Sequence, residues 1–276
     1  MPPFFGRHAF FVSGWKAARL AWDCLTLSIV IITLNEEANL ARTLASVAWA
    51  DEIIVLDSGS TDRTREVAES FHAKFHQEEW KGFAAQKNSA LAKATGDWIL
   101  SLDADEEVEP ALADEIRSVL AANPSVAGFW VPRKNFFLGR WIRHGGYYPD
   151  PKLRLFRRGS GQYETRPVHE DMKLDGTTAR LQSHLLHHAY PTLDSYIEHM
   201  NRYSSLGAQM TAAKRPRGFS LIDIALRPKL TFLYNYALRG GFLDGREGLL
   251  LHAYHATYVS WKYAKAWELG RNRPMP

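Results

Sequence analysis

An α/β fold on a mostly parallel sheet, followed by a helical, basic and aromatic-rich appendage, is what this sequence predicts. Three observations lead there. Short apolar, β-branched runs alternate with helical patterns from residue 27 to about 122. The polar residues with chemical potential fall at the carboxyl ends of those runs, where ligands of parallel sheets bind. The charge is divided between the halves: 8 basic against 18 acidic residues over 27–124, and 23 against 11 over 125–276. Of the 276 residues, 46% are hydrophobic and 23% charged, which suits a folded chain with a sizeable core and excludes a disordered one. The single cysteine, Cys24, excludes an internal disulfide framework and a cysteine-rich zinc site.

The elements follow in order. LSIVIITL (27–34) is a continuous apolar run, as expected of a strand buried on both faces. The next fourteen residues have helical spacing at Leu40, Leu44 and Val47. EIIVLDSGS (52–60) is a second strand running into a turn, and TDRTREVAESF (61–71) a helix with Thr61 or Asp62 as cap. KFHQEE (74–79) is a short strand, GFAAQKNSALAKA (82–94) a helix, and DWILSLDAD (97–105) a strand ending in carboxylates. PALADEIRSVLAA (110–122) is a further helix. GFWVPRKNFFLGRWI (128–142) and KLRLFRR (152–158) read as extended segments around a Gly/Tyr/Pro loop, and residues 193–210 as a helix. The expected division is an extension over 1–26, a catalytic domain over 27–190 and a helical region over 191–276. The extension, with Arg7, Lys16 and Arg19 among aromatic residues, is a poor secretory signal and reads as loosely held chain or a short amphipathic membrane contact.

Three constellations carry chemistry. Asp103-Ala104-Asp105 places two carboxylates at i and i+2 at a strand end, where they can share Mg²⁺ or Mn²⁺ completed by substrate phosphate and water, or be solvated loop acids in a run with Glu106, Glu107 and Glu109. Asp57-Ser58-Gly59-Ser60-Thr61-Asp62 can close around a planar polar ligand, or be an ordinary capped turn. Lys87, between Gln86 and Asn88, can neutralise a diphosphate or pair with the acidic cluster.

TLNEEANL (33–40), VLDSGSTDRT (55–64) and the stretch from Lys81 to Glu106, in that order and spacing, resemble the family 2 glycosyltransferases of GT-A, Rossmann-like fold. KLRLFRR, VHED and LLHHAYPTLDSYIEHMNRYS extend the resemblance toward the bacterial lipopolysaccharide core glycosyltransferases of the WaaE (KdtX) type. The resemblance implies an inverting, metal-dependent enzyme that moves a sugar from a nucleotide-sugar donor, a UDP-sugar first, to a membrane glycolipid of the lipopolysaccharide inner core. Transfer to a polyprenyl phosphate or another envelope glycan, or a non-catalytic nucleotide-sugar-binding subunit, are the alternatives. Thr33, Asn35 and Glu36 would line the nucleotide pocket, Asp57 would meet the base edge and Lys87 the donor phosphates. Asp103 and Asp105 would form the DxD motif, with Asp105 the direct metal ligand. Glu170 of His169-Glu170-Asp171 matches the general base, with Asp171 in reserve. His187 falls at a histidine of the relatives, beside His184 and His188, and would add a metal or phosphate ligand; Arg154 would contact phosphate or be a solvated strand edge. One departure is Leu34, where many relatives carry an aromatic residue that stacks on the base, so stacking is weaker or supplied elsewhere.

Residues 214–239 and 249–267 set Lys and Arg among Leu, Tyr and Trp, with Pro216 and Pro228 as breaks. Neither is apolar enough to span a bilayer. Both suit helices at an anionic membrane surface, which places the protein in the cytoplasm, peripheral on the inner face of the cytoplasmic membrane. No nucleic-acid-binding motif is present, so nucleic acid is not the expected partner.

Overall fold

The computed structural model describes residues 25–164, 171–214 and 218–271. The first half runs β1 (Leu27–Thr33), α1 (Leu40–Val47), β2 (Glu52–Asp57), α2 (Thr64–Ser70), β3 (Lys74–Gln77), α3 (Phe83–Leu91), β4 (Trp98–Asp103), β5 (Glu106–Val108) and α4 (Pro110–Ala121). Then come β6 (Gly128–Val131), β7 (Arg133–Phe137), β8 (Arg140–Trp141), β9 (Lys152–Arg157), β10 (Gly161–Tyr163), β11 (Met172–Leu174), β12 (Thr178–Arg180) and β13 (Leu185–Tyr190). The helical remainder is α5 (Leu193–Lys214), α6 (Arg227–Leu233) flanked by π-helical turns at Ile222–Leu226 and Tyr234–Leu238, a 3₁₀ turn at Gly241–Asp244, and α7 (Gly245–Arg271).

Seven strands form the main sheet in the order β12-β6-β9-β4-β1-β2-β3. Only β9 runs against the others, antiparallel to both β4 and β6. On β1, Ile29 and Ile31 pack with Leu40, Leu44, Leu112 and Ile116 on one side, while Val30 packs with Ala90 and Phe156 on the other. Both faces are therefore covered, which is why the strand has no polar alternation.

A second sheet, β5-β13-β7-β8, diverges from the first at two joints. β4 ends at Asp103 and β5 begins at Glu106, so the Asp103-Ala104-Asp105 turn is itself one joint. The other is Pro132, between β6 and β7. Proline has no N–H to continue the ladder, and the stretch expected as one extended segment is divided there. Phe137 and Ile142 of this region pack with Tyr196 of α5 and Leu251 of α7, fixing the helices to the second sheet.

The expected helix over 35–48 is shorter at its start. Asn35 sits at φ 55°, a left-handed conformation that asparagine tolerates, and the chain enters α1 only at Leu40. Pro228 does not break its helix as expected. It occupies the first turn of α6, after a widened π turn.

At the opposite edge from the carboxylate-bearing strand ends, Glu52 holds β2, β1 and the β4 approach together. It accepts hydrogen bonds from the Ser28 hydroxyl and from Thr95 N (2.9 Å) and pairs with Lys74 Nζ (2.6 Å). Burial pushes its carboxyl up, but Lys74, Ser28 and Thr95 outweigh that and bring it down to about 2. A depressed carboxylate stabilises the fold above its unfolded pKa of about 4.5, and that stability is lost as pH falls toward 2. Glu52→Gln is therefore expected to cost about 2 kcal/mol at pH 7. The gap to wild type should close between pH 4.5 and 2, as read by thermal melts across that range.

Candidate active site

The loops after β1 and β2 are laced together by side chains. Asn35 Oδ1 accepts from Thr61 N (2.9 Å), and Asn35 N donates to Ser60 Oγ (2.7 Å). Glu36 N donates to Thr64 Oγ1 (2.8 Å), and Glu37 N to Asp62 Oδ2 (3.1 Å). Asp57 is buried and accepts from Thr33 Oγ1 (3.0 Å), Gly59 N (2.8 Å), Ser60 N (2.8 Å) and the Ser60 hydroxyl. Those four bonds fill the capacity of a carboxylate. In this conformation Asp57 organises the loop, so a base would meet a surface that Asp57 has shaped, not its free oxygens.

Helix α3 crosses the sheet and delivers Lys87, whose Nζ lies 2.8 Å from Asp103 Oδ1. Its neighbour Asn88 clamps β10 by exchanging bonds with Tyr163 N (2.8 Å) and O (2.9 Å). Arg154 is the notable correction. β9 is an interior strand and Arg154 is buried, so it is not a solvated edge. One guanidinium nitrogen bonds both Asp103 Oδ2 and Glu106 Oε1, the latter at 2.7 Å. Arg133 meets the same Glu106 oxygen (2.9 Å) and also Asp150 Oδ2 (2.7 Å), while Glu106 Oε2 accepts Asp103 N (3.0 Å). Burial opposes the Asp103 charge, but Arg154, Lys87 and Arg133 hold its carboxyl well below the usual range.

Asp105 is placed differently. Its partner is His187 of β13, Nε2 to Oδ2 at 3.4 Å. His187 Nδ1 lies 2.7 Å from Asn135 Oδ1. The Asn135 amide is oriented by its Nδ2, which donates to Tyr147 O and Asp150 Oδ2 (3.1 Å each). Oδ1 therefore faces His187, so Nδ1 carries a hydrogen and Nε2 is turned on the Asp105 carboxylate. An imidazole nitrogen and a carboxylate oxygen turned on one another are two donors that a cation could share. Burial works against the Asp105 charge too, yet His187 leaves it below its ordinary value. Glu36 is pushed up, first by burial and then by Asp105, Asp62 and Asp103, although its bond from Asn39 pulls the other way.

The other two histidines have side-chain partners of their own. His184 Nε2 meets the Tyr148 hydroxyl (2.8 Å), and His188 Nε2 meets Glu107 (3.0 Å) beneath a stacked Phe136. Glu170 lies outside the described residues. Asp171 is exposed on the hairpin β10–β11, its carbonyl accepting Glu164 N (3.0 Å), one register step from the Tyr163 ring that Lys87 Nζ faces at 5.1 Å.

Beside His187 a cavity of about 280 Å³ is lined by Arg133, Asn135, Phe136, Tyr147, Asp150 and Tyr190 among others. Sequence reasoning missed Glu106, Arg133 and the exposed pair Trp80 and Phe83. The two rings meet edge to face at 4.8 Å, and Phe83 is one turn before Lys87 on the same helix face. An aromatic pair flanking the Lys87 helix start was the available signal.

Among the described residues no group of three or more His, Cys, Asp or Glu is arranged to hold a metal alone. Asp105 Oδ2 and His187 Nε2 supply two donors, hard oxygen and imidazole nitrogen, which suits a divalent cation completed by phosphate oxygens and water.

A mannosyltransferase from Pyrobaculum calidifontis, solved with GDP-Man and Mn²⁺, shares the architecture over 90% of each chain at a TM-score of 0.53 and 17% identity. The fold is that of the GT-A glycosyltransferases. The family described as "Glycosyl transferase family 2" matches residues 28–183. The lipopolysaccharide core biosynthesis glycosyltransferase LpsC of Rhizobium meliloti is 34% identical over 88% of this chain and 93% of its own. An uncharacterised glycosyltransferase of Rickettsia typhi is 28% identical over 81% and 80%. The chain belongs to glycosyltransferase family 2, and it is a glycosyltransferase.

Proposed function

We propose that this enzyme transfers a sugar, with inversion, from a nucleotide-sugar donor to a glycolipid acceptor of the lipopolysaccharide inner core at the cytoplasmic face of the inner membrane. The observation that carries the reading is the Asp103-Ala104-Asp105 joint, with Lys87 beside it and the cavity at His187 behind it. The likeness to LpsC over nearly the whole of both chains supports the acceptor class.

The donor would lie across the strand ends, its base over the Asn35–Thr61 lacing and its diphosphate toward Lys87 and Asp105. Trp80 and Phe83 offer the stacking face that Leu34 lacks, which fits a UDP-sugar without demanding uridine. Asp105 and His187 would hold Mg²⁺ or Mn²⁺, which when bound supplies Lewis-acid neutralisation of the leaving diphosphate. Lys87 adds positive charge on that side and is held in place by Asp103. The acceptor hydroxyl attacks the anomeric carbon from the face opposite the diphosphate. Its oxygen forms the new glycosidic bond as the carbon–phosphate-oxygen bond breaks, and its proton passes to a carboxylate of Glu170 or Asp171.

Incubation with UDP-, GDP- and dTDP-sugars and an inner-core lipopolysaccharide acceptor tests the reading, with nucleoside diphosphate release and glycosylated acceptor as readouts. No glycosylated acceptor from any donor would overturn it. The base is assigned by two substitutions that keep shape. Glu170→Gln is expected to lower the rate at least ~10²-fold with donor binding within a few-fold of wild type. A nearly active Glu170→Gln beside an inactive Asp171→Asn would move the role to Asp171.

A further inference from the structure

We propose that the helical segment around α6 seats one face in an anionic bilayer, and that this segment, not α7, is the protein's membrane contact; the proposal rests on the glycolipid reading above. Ile222, Leu226, Leu230, Leu233, Leu238 and Phe242 are each between 48% and 76% exposed. The spacing of Ile222, Leu226, Leu230 and Leu233 follows one side of a helix and forms a stripe, and Leu238 and Phe242 lie just past it on either side of the turn at Gly240. A contiguous apolar face of this kind is uncommon on a monomer's free surface and marks a contact.

The charge around the stripe selects the occupant. Among residues 218–249 the exposed charged side chains are Arg227, Lys229, Arg239 and Arg246, all basic. Of the three acids in the stretch two are turned inward, and the third, the half-buried Glu247, faces Arg140 at 3.7 Å. Asp223 is buried against Arg227 at 2.8 Å, and Asp244 is buried and accepts His144 N at 2.8 Å. Apolar side chains rimmed by cations match the headgroup and acyl boundary of an anionic leaflet. No helix among the described residues is long and apolar enough to cross a membrane, so the segment would lie in the interface.

α7, whose aromatic and lysine residues suggested the same role, is used for packing. Tyr254, Tyr258, Trp261, Tyr263 and Trp267 are all more than half-buried. Lys265 Nζ is bound to Asn201 Oδ1 (2.6 Å), Ser204 Oγ (2.7 Å) and Ser205 Oγ (2.9 Å) of α5.

The stripe is also joined to the cavity. Gly145 N donates to Arg239 O (2.9 Å), and a Cβ on Gly146 would fall 2.3 Å from an Arg239 guanidinium nitrogen. Gly146 and Tyr147 line the cavity beside His187. The surface that would touch lipid is therefore one short loop from where an acceptor sugar would sit.

Flotation with vesicles of phosphatidylcholine and phosphatidylglycerol (3:1) in low salt tests the proposal on the full chain. Wild type is expected to float, and to float much less with phosphatidylcholine alone. Leu226→Asn/Leu230→Asn/Leu238→Asn alters only exposed side chains, so an unchanged melting temperature is expected, with partitioning reduced at least ~10-fold. Lys229→Gln/Arg246→Gln should lose on the order of tenfold in partitioning at low salt and little at high salt. Undiminished flotation of the leucine variant overturns the proposal. So does wild-type self-association without vesicles that the variant abolishes, since a second copy would then cover the stripe. Transfer to a deacylated, water-soluble core oligosaccharide separates the two readings. The leucine variant should keep that activity and lose activity on vesicle-borne acceptor. Wild type inactive on both acceptors, yet floating, would fail the glycolipid reading and leave the membrane face standing.

Discussion

Asp105→Ala is expected to lower sugar transfer by ~10³-fold or more while leaving the melting temperature within a degree or two of wild type. The side chain is a quarter exposed and is not part of the buried ion network, so the fold does not depend on it. Its main-chain carbonyl, which accepts His188 N at 3.0 Å, is retained in the variant. What disappears is one of the two donors that face each other across 3.4 Å. Excess EDTA should reproduce the loss in wild type, and added Mn²⁺ or Mg²⁺ should restore it. Calorimetric titration with Mn²⁺ in the presence of nucleoside diphosphate gives a second readout, strong for wild type and weak for Asp105→Ala. Full activity in excess EDTA would refute metal dependence.

Arg154→Met should have the opposite signature, a large loss of stability. One guanidinium nitrogen bridges Asp103 and Glu106, and Glu106 is fully buried. Removing the bridge leaves Arg133 as the one cation within reach of Glu106 and Lys87 as the one bonded to Asp103 among the described residues. Breaking a buried pair from one side costs roughly 3–5 kcal/mol. For a chain of this size that corresponds to a fall in Tm of about 10 °C. Arg154→Lys should recover little, because an ammonium lacks the planar fork of the guanidinium. Arg154→Met/Glu106→Leu should be more stable than Arg154→Met, since removing both charges relieves the stranded acid. A single variant as stable as wild type would show that Arg133 and Lys87 suffice.

The parallel half of the sheet was legible because its strands are buried on both faces and its helices carry apolar stripes. β1, β2 and β4 could be read from continuous runs, and their carboxyl ends located Asn35, Asp57, Asp103 and Asp105. Lys87 was legible as an option, and the structure realises its pairing with the acidic cluster. Glu106 was not, because in the sequence it is one of a run of acids. Its burial follows from β5 turning into the second sheet, a tertiary event without local periodicity. Arg154 was misjudged for a related reason. A strand that joins the sheet antiparallel between β4 and β6 has no signature that separates an interior from an edge place. The packing of α7 on α5 could not be told from sequence, because amphipathic packing and amphipathic contact with a headgroup layer use the same residue types.

The middle residue of the acidic tripeptide is usually treated as a spacer. Here Ala104 is buried at the joint where β4 leaves one sheet for β5 of the other, and its carbonyl accepts a 2.6 Å bond from the buried Thr43 hydroxyl of α1. A bulky side chain would wedge the two sheets apart and change the spacing of Asp103 and Asp105 without touching either. The cleft's aperture is thus calibrated from behind, by a methyl group facing the core. Any effort to retune donor choice by varying residues around the acids would have to hold that one position at alanine or smaller.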